Sequence, residues 1–118
     1  MSYHSFEELE IWQMASGLAV TLYGILNNCK DYGLRDQMTR AAVSIASNIA
    51  EGAERDSRAE FVRFLHIAKG SSAELRTQIH IASQIGIISG GHAVALKEEL
   101  ELISKKMHAL IKHLKLKT

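Results

Sequence analysis

Gln37, Arg40, Ser44, Ser47 or Asn48, and Glu51 recur at three- and four-residue spacing, which on a helix sets them along one face. Arg63, Ser71, Glu74 and Gln78 form a comparable row further along the chain, with Gly70 and Ser72 as small spacers. Such residues fit two chemistries. A carboxylate near a guanidinium can act on an anion, with Glu51 or Glu74 as general base and Arg40 as the anion holder. The same side chains can instead form an internal hydrogen-bond and ion-pair network that fixes how two helices pair. Networks of this kind add little net stability, because desolvation offsets most of the attraction, yet they penalise wrong registers. Ala41, Ala42, Ala46, Ala50, Gly52 and Ala53 surround the first row, and small side chains let helix backbones approach closely. The structural reading is preferred, since catalysis also needs an accessible pocket and the spacing carries no sign of one. No catalytic residue is assigned.

If the chain turns at Glu54–Ser57, the two rows lie antiparallel and a register follows. It sets Glu51 opposite Arg63 and Arg40 opposite Glu74, with Asn48 facing His66 and Ser44 facing Gly70.

Other reactive side chains group less well. His108 and His113 are five apart, on different faces of a helix, and His66 and His80 are about four turns apart. No Glu-x-x-His pair occurs on two helices, as a di-iron bundle requires, so neither metal nor cofactor is expected. Cys29 has only Lys30 beside it to activate a thiolate. No phosphate-binding glycine loop, zinc cysteine pair or nucleophile elbow is present. Trp12 and Tyr23 sit at or near apolar helical positions and read as packing residues.

Charge is distributed unevenly. Before Arg35 the acids exceed the bases. From Ser104 onward there are only bases, Lys105, Lys106, Lys112, Lys115 and Lys117, with His108 and His113 among them. These wrap around a helix end, where they complement the helix dipole and aid solubility. Lysines are also flexible point charges suited to phosphate contact without sequence readout, and an oligomer would multiply their field.

The elements that carry these residues are helices. Ser5-Phe6-Glu7-Glu8 has the form of a capping box, followed by Leu9, Trp12, Ala15, Leu18, Leu22 and Ile25 at helical spacing. Turn chemistry from Asn27 to Gly33 ends that helix. Leu34, Met38, Ala41, Ile45 and Ile49 mark a second. Ser57-Arg58-Ala59-Glu60 is another capping box, opening a third helix whose stripe runs from Phe61 to Ala82. Gly86 can take the left-handed conformation that closes it. A fourth stripe runs from Leu96 to Leu114. The spacing predicts helices over about 6–27, 34–53, 58–85 and 91–115, joined by short connectors. That is an all-α, antiparallel up-down-up-down four-helix bundle in a single domain, 1–118.

Composition agrees. The 118 residues contain no proline, where average usage of about 5% would give roughly six, so little interrupts a helix. Hydrophobic residues are 47% and charged residues 23%, which excludes disorder. No apolar run is long enough to span a membrane. Residues 1–11 hold three glutamates and no lysine or arginine, unlike a targeting peptide. The lone cysteine suits a reducing compartment, and a cytoplasmic location is expected. Net charge is only +1, so composition as a whole announces no nucleic acid.

Three segments carry a resemblance. They are Phe6 to Ala15 (Phe-Glu-Glu-Leu-Glu-Ile-Trp-Gln-Met-Ala), Leu34 to Gly52 with its Ser-Ile-Ala-Ser-Asn-Ile-Ala-Glu-Gly ending, and Phe64 to Leu75. The chain resembles the four-helix-bundle proteins encoded in intervening sequences of bacterial 23S ribosomal RNA. The resemblance implies a homopentameric ring. It also implies kinship with the accessory protein of diversity-generating retroelements, where a basic pentamer works with RNA and a reverse transcriptase. The family's polar motif residues fall on Arg40, Ser44, Asn48, Glu51, Ser71 and Glu74. Where relatives often have proline after Ser-Ile, this chain has Ala46, so the second helix is expected to run unbroken from Leu34 to Gly52. Its near-neutral charge also departs from the strongly basic retroelement branch.

The expected function is that of a non-enzymatic oligomer, a pentamer of this chain. It would contact structured RNA or an RNA-processing ribonucleoprotein through Arg55, Arg58, Lys105, Lys106, Lys112, Lys115 and Lys117. The alternative is a structural or protein-interaction module without a nucleic-acid partner. No small-molecule substrate or membrane partner is expected.

Overall fold

The computed structural model describes residues 5–116. They form a 3-10 turn, Phe6–Glu8, and four α-helices: α1 (Glu10–Ile25), α2 (Tyr32–Glu54), α3 (Arg58–Gln84) and α4 (Gly90–Leu116). No strand occurs among the described residues. Contacts join α2 to α3, α3 to α4, α1 to α2 and α1 to α4, and α2·α3 is the most extensive. No contact bridges α1 to α3 or α2 to α4, so the helices occupy four corners around one core. The long axis of 46 Å matches the roughly 40 Å of a 27-residue helix.

The helix ends show where local chemistry governs. The first helix starts later than position 6. Ser5 does accept from the Glu7 N–H (3.1 Å), but Leu9 turns extended (φ −72°, ψ 127°) and breaks the helix there. Two contacts hold this turn against α1. Phe6 meets Trp12 edge-on at 5.3 Å, and Gln13 Nε2 donates to the Glu7 carbonyl at 2.9 Å. The second helix starts earlier than position 34, because Asp31 caps it by accepting from the Leu34 N–H at 3.1 Å. Ser57 caps α3 through the Glu60 N–H at 3.2 Å, but the Glu60 carboxylate turns to Arg63 instead of reaching back.

Gly86 closes α3 with φ +83°. Its N–H donates to the Ser83 carbonyl (3.2 Å) and the Ile87 N–H to the Ala82 carbonyl (2.8 Å), the paired bonds of a Schellman motif. The short apolar run after it is therefore a turn, and it buries Ile88. Ser89 then accepts from the His92 N–H at 3.1 Å and opens α4.

The core is the set of stripes read from spacing. Leu22, Met38, Ile45, Ile49, Leu65, Leu75, Ile79, Leu100 and Ile103 have essentially no exposure. α2 passes through Ala46 without interruption. Its C-terminal end lies close on α3: a Cβ on Gly52 would stand 2.7 Å from Phe64 Cβ and 3.0 Å from Phe61 Cδ1. Glycine is required there by space, at ordinary helical backbone angles.

Candidate functional site

The two polar rows meet across α2 and α3 at their centre. Ser44 Oγ and Ser71 Oγ lie 3.0 Å apart. Asn48 Nδ2 donates to the Ser44 carbonyl (2.8 Å) and to Ser44 Oγ (3.0 Å), so one asparagine orients the inter-helix contact from one turn away. This places Ser44 opposite Ser71, not Gly70. Together with Gly52 lying on Phe61 and Phe64, it shows α2 and α3 running in opposite directions.

The charged members of the rows do not pair across the helices as the expected register had them. Glu51 pairs with Arg55 at 3.1 Å on its own helix, and Arg63 pairs with Glu60 through two hydrogen bonds of 3.0 and 3.2 Å. Arg40 and Glu74 are both exposed, and no ion pair joins them. For Glu51 and Arg63 the reason is local: partners three or four residues apart on one helix already stand within reach.

These four charges still form one group around a ring. The Arg55 and Arg63 guanidinium carbons lie 5.0 and 4.6 Å from the Phe64 ring centroid, within cation–π range. The hydrogen bond from Arg63 holds the Glu60 carboxyl below its ordinary range, against partial desolvation, and the charges of Arg63 and Arg55 add to the effect. The Arg63 guanidinium is raised in turn, chiefly by its hydrogen bond to Glu60 and then by the Glu60 charge, with Glu51 contributing. The group ties the α2–α3 connection to the buried Phe64.

The basic residues of the last helix divide by environment. Lys106 bridges α4 to α1 through Glu10 at 2.8 Å, and Lys105 lies 3.8 Å from Glu101 on its own helix. Lys112 is exposed. Lys115 shares a groove of about 230 Å³ with Arg58, floored by Ala59, Val62 and Leu114. The fold thus brings the start of α3 and the end of α4 to one pole, where Arg55 also ends α2. Lys117 lies outside the described residues.

Sequence reasoning missed two features. An apolar groove of about 450 Å³ runs between α1 and α4, lined by Met14, Gly17, Leu18, Ile25 and Leu96. A second groove of about 430 Å³ between α3 and α4 gathers Arg76, His80 and Lys97. The four-residue spacing of Arg76 and His80 was the available signal; Lys97 joins them only through the α3–α4 register. Among the described residues, no three His, Cys, Asp or Glu side chains gather as metal ligands, and no helix is long and apolar enough to cross a membrane.

The family model of the 23S rRNA-intervening sequence protein matches residues 7–109. The chain belongs to that family. The matched span takes in all of α1, α2 and α3, with both polar rows. No curated protein matches the chain. It is similar in fold to a crystal structure from Bacteroides thetaiotaomicron, a protein of unknown function from the S23 ribosomal protein family. The TM-score is 0.81 at 24% identity, over 86% of this chain and 98% of that one.

Proposed function

We propose that this chain is a non-enzymatic cytoplasmic oligomer that binds structured RNA, alone or within a ribonucleoprotein. Its contacts run through the basic pole of the bundle. The observation that carries the reading is the groove shared by Arg58 and Lys115, two basic residues from distant parts of the sequence. Lys112, exposed one turn before Lys115, extends the same charge, while Arg55 is paired with Glu51 and Lys106 with Glu10. Lysine and arginine at the end of a helical bundle suit phosphate contact by charge, without base readout. In this reading Ser44, Asn48, Ser71, Glu51 and Arg63 set the α2–α3 pairing of an up-down-up-down bundle and do no chemistry. The engagement of Glu51 by Arg55 and the separation of Arg40 from Glu74 support that assignment.

The oligomer in this reading is a homopentameric ring. Ile85 (59% exposed), Val94 (57%) and Val20 (73%) are aliphatic side chains that self-association would cover. They also favour the second reading, a protein-interaction module without RNA. Native mass spectrometry of protein purified from cells separates the two. Five copies with co-purifying RNA are expected. A monomer would remove the ring, and an RNA-free complex with no low-salt gel shift on structured RNA would leave only the second reading.

A further inference from the structure

The groove between α3 and α4 collects hydrogen-bond donors and no acid. Lys97 Nζ lies 3.2 Å from His80 Nδ1. An ammonium has no lone pair to offer, so it donates, His80 Nδ1 accepts, and the imidazole proton sits on Nε2. Two ammonium hydrogens and that Nε2–H remain to be used. Arg76, one turn before His80 on the same helix, adds a guanidinium with no carboxylate partner among the described residues. Thr77 also lines the groove, but its hydroxyl donates to the Ala73 carbonyl at 3.0 Å. Ala73 completes the lining. Glu101, one turn along α4 from Lys97, pairs with Lys105 at 3.8 Å.

Basic side chains near helix ends often only answer the helix dipole. Here Arg76 and Lys97 each lie about two turns inside their helices, beyond the terminal turn where that effect acts. Arg76 and the hydrogen-bonded Lys97–His80 pair therefore leave a net positive charge in the groove, with no acid lining it, where an anion is favoured. We propose that the α3–α4 groove is a phosphate-binding site, with Arg76 and Lys97 as the charged arms and His80 Nε2–H as the neutral donor. A guanidinium presents paired N–H groups that match phosphate oxygens, and the ammonium adds a point charge. The groove of about 430 Å³ has room for a phosphate carried on a larger molecule, so the ligand class is a phosphate ester as well as phosphate itself. The ester is either a backbone phosphodiester of RNA or a small phosphorylated molecule. Arg76 and His80 lie about 27 and 33 Å along α3 from Arg58 at 1.5 Å per residue, so the site is separate from the basic pole and does not depend on it.

The test is a titration of inorganic phosphate into the isotope-labelled full chain, with chloride at matched ionic strength as reference, followed by backbone amide shifts. Saturable shifts confined to Ala73–His80 and the facing turn of α4 are expected. In the Arg76→Gln/Lys97→Gln double variant the affinity should fall about tenfold or more, the loss typical of charged hydrogen-bond partners. Both side chains border an open groove, and an unchanged helical circular dichroism spectrum verifies that the variant folds. No phosphate-specific shift at these residues, or equal affinity in the variant, overturns the site. A single-stranded RNA oligonucleotide with a 5′-hydroxyl, carrying only diesters, then identifies the source. Competition with phosphate at the same amides assigns the site to RNA, and its absence assigns it to a small phosphate ester. Loss of RNA binding at the Arg58–Lys115 pole would leave the phosphate titration unchanged, so the two readings fail separately.

Discussion

Gly52 and Phe64 stand so close that a Cβ on the glycine would lie 2.7 Å from the Cβ of the phenylalanine. Gly52→Ala should therefore destabilise the protein although alanine is the better helix former. Overpacking costs about 1–3 kcal/mol, against a propensity gain of up to about 1 kcal/mol. Gly70 is the control, because a Cβ there meets nothing within 4 Å. Gly70→Ala should stabilise by about 0.5–1 kcal/mol. Urea unfolding of both variants measures the contrast. Equal effects of the same sign would show that the α2–α3 approach does not constrain position 52.

Ser44 and Ser71 should be energetically coupled across the α2–α3 pair. Each single alanine variant removes the 3.0 Å hydroxyl contact, and the double variant removes nothing further across it. A double-mutant cycle in denaturant should return a coupling of about 0.5–1.5 kcal/mol, the net worth of a partly buried hydrogen bond. Asn48→Ala should weaken that coupling, since its amide donates to Ser44 Oγ. Additive single variants would mean the contact carries no pairing energy.

Much of this arrangement was legible in spacing. Ser44, Asn48 and Ser71 stood in polar rows, and the buried stripes from Met38 to Ile49 and from Phe61 to Ala82 matched the core. The inferred register was one residue off, because it was built on Glu51–Arg63 and Arg40–Glu74. Ion pairs are poor guides to register, since long charged side chains find local partners first. Gly52 is the better guide: it has no side chain to displace and sits where the backbones come closest. The Arg58–Lys115 and Arg76–His80–Lys97 groupings lay beyond reach for another reason. Helical periodicity orders residues along one helix and says nothing of the axial offset between α3 and α4.

The Glu60–Arg63 pair should make part of the stability pH-dependent. The Glu60 carboxyl titrates lower in the folded chain than in the unfolded one, so its contribution is present above the ordinary carboxylate range. It is lost as pH falls through the lowered folded value. Glu60→Gln should thus be less stable than the parent near neutral pH and match it in strong acid. Thermal unfolding of both proteins between about pH 7 and pH 2.5 measures the gap. A gap of constant size across that range would assign the effect of the substitution to side-chain shape instead of charge.

The lysines of α4 should differ in their effect on RNA binding, because they differ in place: Lys115 lines the groove with Arg58, whereas Lys106 lies against Glu10 of α1. Each phosphate-contacting lysine adds to the slope of log affinity against log salt through counterion release. Lys112→Gln/Lys115→Gln should lower that slope by about one to two and weaken binding similarly across RNA sequences. Lys106→Gln should change it by well under one, since Lys106 already neutralises Glu10 at 2.8 Å. Its cost should appear in stability instead, within the 0–1 kcal/mol of an exposed ion pair. Filter binding over a salt series with one structured RNA reads all three proteins. If Lys106→Gln lowers the slope as much as the double variant does, general charge and not the Arg58–Lys115 pole governs the interaction. If none changes it, RNA does not bind through α4 at all.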